Sequence, residues 1–232
     1  MADNFAVNYL KVYLERQTSR KFRKGEIIVF QGEVPEHAYA VKSGIIKAYN
    51  LSVNGDEKPV AFYPETYVFP ATWIYEKLPS AIYYYEAFTD NVEVYMFDRS
   101  SYVKFIKKSP ELLYQEMEHF LNDHLGGSMR LNALEHSKAS DKLIYTLHYL
   151  AISYGQPLDS NSIQIALNLT HQDFANLTGL TRETAATELN KLKKQGIIDY
   201  GKNQPYILRL NLLLKKINDQ FIADLKPATL VS

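Results

Sequence analysis

Two helix starts lie eleven residues apart in "LTHQDFANLTGLTRETAATELNKLKKQGII", residues 169–198, and this stretch limits the fold more than any other. Thr170 stands three residues before Asp173, the spacing of a capping box with Asp where Glu or Gln is usual. That helix turns Phe174 and Leu177 inward. Gly179 can take the left-handed conformation that a sharp helix end requires. Thr181 can then cap a second helix, whose apolar positions Ala185, Leu189 and Leu192 are spaced +4 and +3, one stripe. Its opposite face carries Arg182, Glu183, Thr187, Asn190, Lys191 and Lys194. Two short helices joined by a turn containing Gly make a helix-turn-helix. "GIIDY" and "PYILRL", joined by "GKNQ", read as a β-hairpin wing behind it.

Residues from about 21 to 98 follow another pattern. "EIIVFQG", "AYAVKSGIIKAYNL", "KPVAFY" and "NVEVYMF" are short β-branched and aromatic runs bounded by Gly32, Gly44, "NGDE" and Pro64. Asn54-Gly55 is the strongest hairpin signal. Such strands without long helices between them predict an antiparallel barrel or sandwich. From Pro110 to about Ser137 the period turns helical and close to a heptad. Leu113, Met117, Phe120, His124, Gly127, Leu131 and Leu134 form a coiled-coil seam. Gly126 and Gly127 weaken it by roughly 1 kcal/mol each relative to alanine. A twofold copy of the chain is the economical partner for the seam, the other reading being a helix packed along its own barrel. Ser140 is a candidate N-cap for the helix that follows.

The 232 residues suit one large domain or two small ones. No run of about 18 apolar residues could span a membrane, and the N-terminus lacks the pattern of a secretory signal. Cysteine is absent, which excludes disulfides, thiolate zinc sites and cysteine-ligated iron–sulfur clusters and fits a cytoplasmic location. Net charge is zero, but between Arg182 and Lys216 there are 8 Lys and Arg against 3 Asp and Glu. A local basic patch permits binding to a polyanion without requiring it.

Residues 169–198 closely resemble the DNA-binding motif of the cyclic-AMP receptor protein and fumarate–nitrate regulator (CRP/FNR) family. "FRKGEIIVFQGEVPEHAYAVKSGIIKAYN" is similar to the opening of that family's barrel, with glycines at 25, 32 and 44. The resemblance implies an α+β chain in three parts. These are a cyclic-nucleotide-binding-type antiparallel β-barrel (jelly roll) over 1–108, a dimerisation helix and hinge over 109–138, and a winged helix-turn-helix over 139–232. The recognition helix, 181–195, would lie in the major groove. Arg182 can donate bidentately to guanine and Glu183 can accept from cytosine N4. Thr187 stands where relatives commonly carry arginine, so it is left a thymine methyl or a phosphate and the half-site should differ from the commonest one. Thr170, Gln172, Thr181, Thr184, Lys191 and Lys202 are candidate phosphate contacts. The implied partners are double-stranded DNA with a near-palindromic operator, a second copy of the chain, and RNA polymerase, with no membrane.

The family's cyclic-nucleotide cassette carries a Gly-Glu pair and an Arg-Ser pair. Here these positions hold Ala71-Thr72 and Ile82-Tyr83, so the usual mode of binding cyclic AMP is not expected: a buried phosphate would lack its cation. The family's helix contacts to the base fall near Gly127-Ser128. The region is rich in Trp73, Tyr75, Tyr83, Tyr84 and Tyr85. Two readings stay open, an aromatic pocket for a planar or apolar effector and rings that fill a ligand-free barrel. His124, doubled at a seam, is a second candidate sensor, since a histidine titrates near pH 6.5. No cofactor and no metal site are predicted. A cupin-type enzyme would need His-x-His with a carboxylate, which the chain lacks, and no phosphate loop or nucleophile elbow appears. The expected function is that of a dimeric, sequence-specific transcription regulator, not an enzyme.

Overall fold

The computed structural model describes residues 10–201 and 204–225, and the chain divides into two compact units, Met1–Asp123 and His124–Ser232. Lys202, one of the candidate phosphate contacts, lies outside the described residues.

Among its described residues the first unit is a jelly-roll sandwich of eight strands: β1 (Thr18–Phe22), β2 (Ile27–Val29), β3 (Ala38–Ser43), β4 (Ile46–Leu51), β5 (Glu57–Tyr63), β6 (Val68–Phe69), β7 (Tyr84–Ala87) and β8 (Val92–Phe97). They pair antiparallel as one sheet in the order β1-β8-β3-β6 and another in the order β2-β7-β4-β5. Alternation decides which side chains fill the space between the sheets. On β8, Val92 and Val94 turn in while Glu93 and Tyr95 turn out. Tyr39, Val41, Ile46, Ala48, Phe69 and Tyr85 meet them in one core. The Asn54-Gly55 signal is realised as the β4–β5 hairpin: Ser52 N–H donates to Asp56 O and Gly55 N–H to Ser52 O, both at 2.9 Å, with Gly55 at φ +82°.

The outer face of the first sheet needs its own cover, and short helical segments supply it. Leu10 and Leu14 from residues 10–15, Trp73 and Ile74 from Ala71–Ile74, and Tyr102 and Ile106 from Arg99–Ile106 pack on Ala38, Ala40 and Phe97. Among the described residues two charged side chains of the first unit are buried. Glu116 accepts hydrogen bonds from the hydroxyls of Tyr75 at 2.5 Å and Tyr102 at 2.9 Å. Lys47, buried on the outer face of β4, reaches Glu57 at 2.6 Å and Glu86 at 3.2 Å. A lysine is tolerated there because each carboxylate offsets its desolvation.

The helix expected from the heptad runs unbroken over Pro110–Glu135, through both glycines. Along the seam Leu113, Met117, Phe120, His124, Gly127 and Leu131 are exposed and Leu134 is half-buried. The other side of the helix is buried at Leu112 in the first unit and at Met129 and Ala133 in the second. Exposure reaches 45 % at Met117 and 65 % at Leu131, an apolar stripe left open among the described residues.

In the second unit the end of the long helix is followed by the helix Ala139–Tyr154, which buries Leu143 through Ala151. Its N-cap is Lys138, with no side-chain cap. Ser140, the sequence-based candidate, lies two residues past the cap and donates to Asp141 at 3.2 Å. A small sheet follows: β9 (Gly155–Pro157), β10 (Ser162–Ile165), β11 (Ile198–Asp199) and β12 (Ile207–Arg209), in the order β11-β12-β10-β9. The β11–β12 hairpin is the expected wing, with Ile198 opposite Leu208. The β9–β10 hairpin is an addition to the sequence reading. Its turn is held by Asp159, whose carboxylate accepts from the amides of Asn161 at 2.7 Å and Ser162 at 2.8 Å. No helix among the described residues is long and apolar enough to cross a membrane.

Candidate nucleic-acid interface

Local chemistry builds the two helices as the sequence requires. His171–Thr178 starts at Thr170, whose hydroxyl accepts from the Asp173 amide at 3.2 Å while the Asp173 carboxylate accepts from the Thr170 amide at 2.7 Å. Asp therefore completes the capping box in place of Glu. Gly179 ends the helix at φ +67°. The second helix, Arg182–Lys194, starts at Thr181, whose hydroxyl accepts from the Thr184 amide at 3.2 Å. Phe174, Ala175 and Leu177 of the first helix and Ala185, Leu189 and Leu192 of the second are buried. Thr178, also buried, donates to Phe174 O at 2.6 Å and so needs no other partner.

Burial of that stripe turns the other face out. Arg182, Glu183, Thr187, Asn190, Lys191 and Lys194 are all exposed, as are Thr170, Gln172 and Thr181, while Thr184 is half-buried. Arg182 makes no ion pair among the described residues. Its charge, after burial, holds the neighbouring His171 imidazole below its usual pKa. Glu183 sits in the first helical turn, where the helix dipole favours it. Gln172 donates to Asn176 at 2.9 Å, and Lys191 pairs with Glu188 at 2.6 Å.

Three features of the surface escape sequence reasoning. Lys193 reaches Asp199 of the wing at 3.0 Å and also donates to Tyr200 O, and it lowers the Asp199 carboxyl pKa. Tyr200 donates from its hydroxyl to Asn190 Oδ1 at 2.9 Å. His171, Tyr200, Tyr206 and Phe174 form a run of ring contacts that fastens the first helix to the wing. These partners are six or more residues apart in sequence, and no helical or strand period links them.

In the first unit the candidate effector residues separate. Trp73 is buried in the cover of the first sheet, with the Arg99 guanidinium 4.5 Å above its ring. Tyr85 lies in the core between the sheets, with Tyr83 packed against that core. Ala71 and Thr72 share the short helix with Trp73, and Ile82 is half-buried. His124 and Ser128 are exposed on the long helix in the second unit. Near-parallel rings fill the sandwich: Tyr39 on Phe69 at 5.4 Å, Phe69 on Tyr85 at 5.1 Å, and Tyr63 on Tyr67 at 5.1 Å. Burial raises the pKa of the Tyr63 and Tyr85 phenols, which stay neutral. Among the described residues no group of three His, Asp or Glu could hold a metal ion.

Comparison with known proteins agrees with both units. Residues 141–215 match the Crp-like helix-turn-helix domain and residues 19–109 the cyclic nucleotide-binding domain. The chain is 26 % identical over 184 residues to a global nitrogen regulator of Synechococcus elongatus, covering 79 % of this chain and 82 % of that one. It is 28 % identical over 211 residues to the fumarate and nitrate reduction regulatory protein of Vibrio cholerae, covering 88 % and 79 %. Its fold is shared with FixK2 from Bradyrhizobium japonicum, at a TM-score of 0.67 and 23 % identity, over 91 % of this chain and 98 % of that one. The two relatives are named as regulators, and the matched domains are those of transcription regulators, a non-enzymatic group. With the barrel, the long helix and the winged helix-turn-helix in that order, the chain belongs to the CRP/FNR family of DNA-binding transcription regulators.

Proposed function

We propose that two copies of the chain join along Leu113, Met117, Phe120, His124, Gly127, Leu131 and Leu134 and read a near-palindromic operator. The parts are those of the sequence reading: barrel over 1–108, dimerisation helix and hinge over 109–138, DNA-binding domain over 139–232. Regulators of this family bind DNA and act as dimers. The observation that carries the reading is the start of the helix Arg182–Lys194, exposed at Arg182 and Glu183 above a fully buried stripe. Arg182, Glu183 and Thr187 meet base edges. Thr170, Gln172, Thr181, Thr184, Lys191 and Lys202 meet phosphates, where they set register without reading sequence. Two recognition helices must then stand about 34–36 Å apart to enter successive major grooves. Work with RNA polymerase and a cytoplasmic location belong to the same reading.

The barrel is a filled scaffold and does not bind cyclic AMP in the usual mode. The stacked rings of Tyr39, Phe69, Tyr85, Tyr63 and Tyr67 support this, as do Ala71-Thr72 and Ile82-Tyr83 at the ligand positions. The test is DNA selection from a random duplex pool with the purified chain, without and with cyclic AMP. Recovery of the same twofold-symmetric site at nanomolar affinity in both arms supports the proposal. Sequence-indifferent binding without cyclic AMP, turning specific when it is added, overturns it.

The two glycines of the long helix carry opposite expectations. A Cβ on Gly126 would lie 3.2 Å from the Tyr149 ring, whereas one on Gly127 meets nothing within 4 Å. Gly127→Leu is therefore expected to gain about 0.8–1 kcal/mol of helix propensity, tighten the seam and raise operator affinity. Gly126→Leu is expected to lower stability. Thermal unfolding with a parallel binding titration checks both.

A further inference from the structure

Each element of the DNA-reading surface touches one side chain that the recognition-helix reading does not use. The hydroxyl of Tyr200 donates to Asn190 Oδ1 at 2.9 Å, on the helix Arg182–Lys194. Lys193 of the same helix stands 4.7 Å from the centre of the Tyr200 ring. The ring stacks on Tyr206, next to β12, at 4.6 Å and meets His171 of the first helix edge-on at 5.7 Å. Tyr200 itself follows directly on β11. One residue thus ties wing, recognition helix and first helix together.

Its polar contact also has a direction. Glu183, Thr187, Asn190 and Lys194 are spaced +4, +3 and +4, one exposed stripe of the recognition helix. With Asn190 Oδ1 accepting from the tyrosine hydroxyl, the amide keeps both of its N–H donors for another partner. DNA presents acceptors on its phosphates and on the guanine and adenine edges of the major groove. Tyr200 also holds Lys193 over its ring, and Lys193 pairs with Asp199 at 3.0 Å. Its charge is thereby drawn toward the wing and away from the stripe. Among the described residues Lys194, on that stripe, makes no ion pair.

We infer that Tyr200 is a positioning residue for DNA recognition: it sets the wing against the recognition helix and turns the Asn190 amide toward the operator as a donor. This rests on the recognition-helix reading above. Loss of a positioning contact weakens the specific complex, in which geometry matters, and spares non-specific binding, which is carried by charge alone.

The experiment uses the full chain and two duplexes, the operator selected by the unaltered protein and a scrambled duplex of the same length. Tyr200→Phe, Tyr200→Ala, Asn190→Ala and Arg182→Ala are titrated on both. Tyr200→Phe keeps the ring and removes one hydrogen bond, so the ratio of specific to non-specific affinity is expected to fall about three- to tenfold. Tyr200→Ala is expected to lower it at least tenfold. Adding Tyr200→Phe to Asn190→Ala should cost little more than Asn190→Ala alone, because one contact is removed twice. A purely structural role reduces the folded fraction, lowers binding to both duplexes alike and leaves the ratio unchanged, which would overturn the inference. Should Tyr200→Ala not fold, Tyr200→Phe decides alone. If Arg182→Ala lowers the ratio and neither Tyr200 variant does, Tyr200 has no positioning role and the recognition-helix reading stands. If Arg182→Ala also leaves it unchanged, that reading falls and the inference with it.

Discussion

Arg182→Ala is expected to weaken binding to the selected operator by about 5- to 150-fold per half-site, the equivalent of the 1–3 kcal/mol that one bidentate base contact is worth. The loss should be confined to one base pair of each half-site. Discrimination at that pair disappears, while discrimination at the others is kept. Stability should not change. Arg182 is exposed and makes no ion pair among the described residues, and exposed substitutions of that kind stay within about 0.5 kcal/mol. A phosphate contact would behave otherwise. It would weaken binding to every sequence alike and reduce the salt dependence by about one released counterion. Titration of the variant on single-base operator variants at two salt concentrations separates the two. Uniform weakening with a shallower salt slope would move Arg182 from the base contacts to the phosphate contacts.

Met117→Asp combined with Leu131→Asp is expected to leave a folded monomer that binds the operator about a hundred- to ten-thousand-fold more weakly. Both side chains are exposed in the single chain, at 45 % and 65 %, so neither unit loses core packing. In the proposed dimer they face their symmetry mates, and carboxylates there would be desolvated against each other. Losing the second half-site removes the effective concentration that couples two weak binding events, worth a factor of 10² to 10⁴. Sedimentation equilibrium reports the oligomeric state, and a titration on whole and half operators reports the coupling. A double variant that stays dimeric would mean that the exposed stripe is not the seam. One that becomes monomeric yet binds at full strength would mean that the operator is read by single chains.

The parts of this chain that could be read in advance are those whose physics is local. A cap needs a hydroxyl and an amide three residues apart, and Thr170 with Asp173 and Thr181 with Thr184 meet that requirement within a single turn. Gly179 at φ +67° and Gly55 at φ +82° stand where a side chain would strain the backbone. The burial of Ala185, Leu189 and Leu192 follows from helical spacing, which also sets Leu113, Met117 and Leu131 on one stripe. Local signals misled at Ser140, a good capping residue that the helix overruns, since its N-cap is Lys138. They were too weak to be heard at β9 and β10, strands of three and four residues with polar members.

What could not be read in advance is pairing between groups far apart in the chain. Lys47 between Glu57 and Glu86, Glu116 under Tyr75 and Tyr102, and the spread of Trp73 and Tyr85 into separate clusters all depend on which surfaces the sandwich brings together. The same holds for Tyr200 on Asn190. By itself the sequence determined the helix caps, the turns, the strand and helix faces and the order of the parts, because each is decided within a few residues by backbone strain, hydrogen bonding and periodicity. Tertiary structure alone decided which buried charges found partners and which tyrosines became core, cover or brace. A side chain's desolvation is compensated only by the groups that folding places beside it.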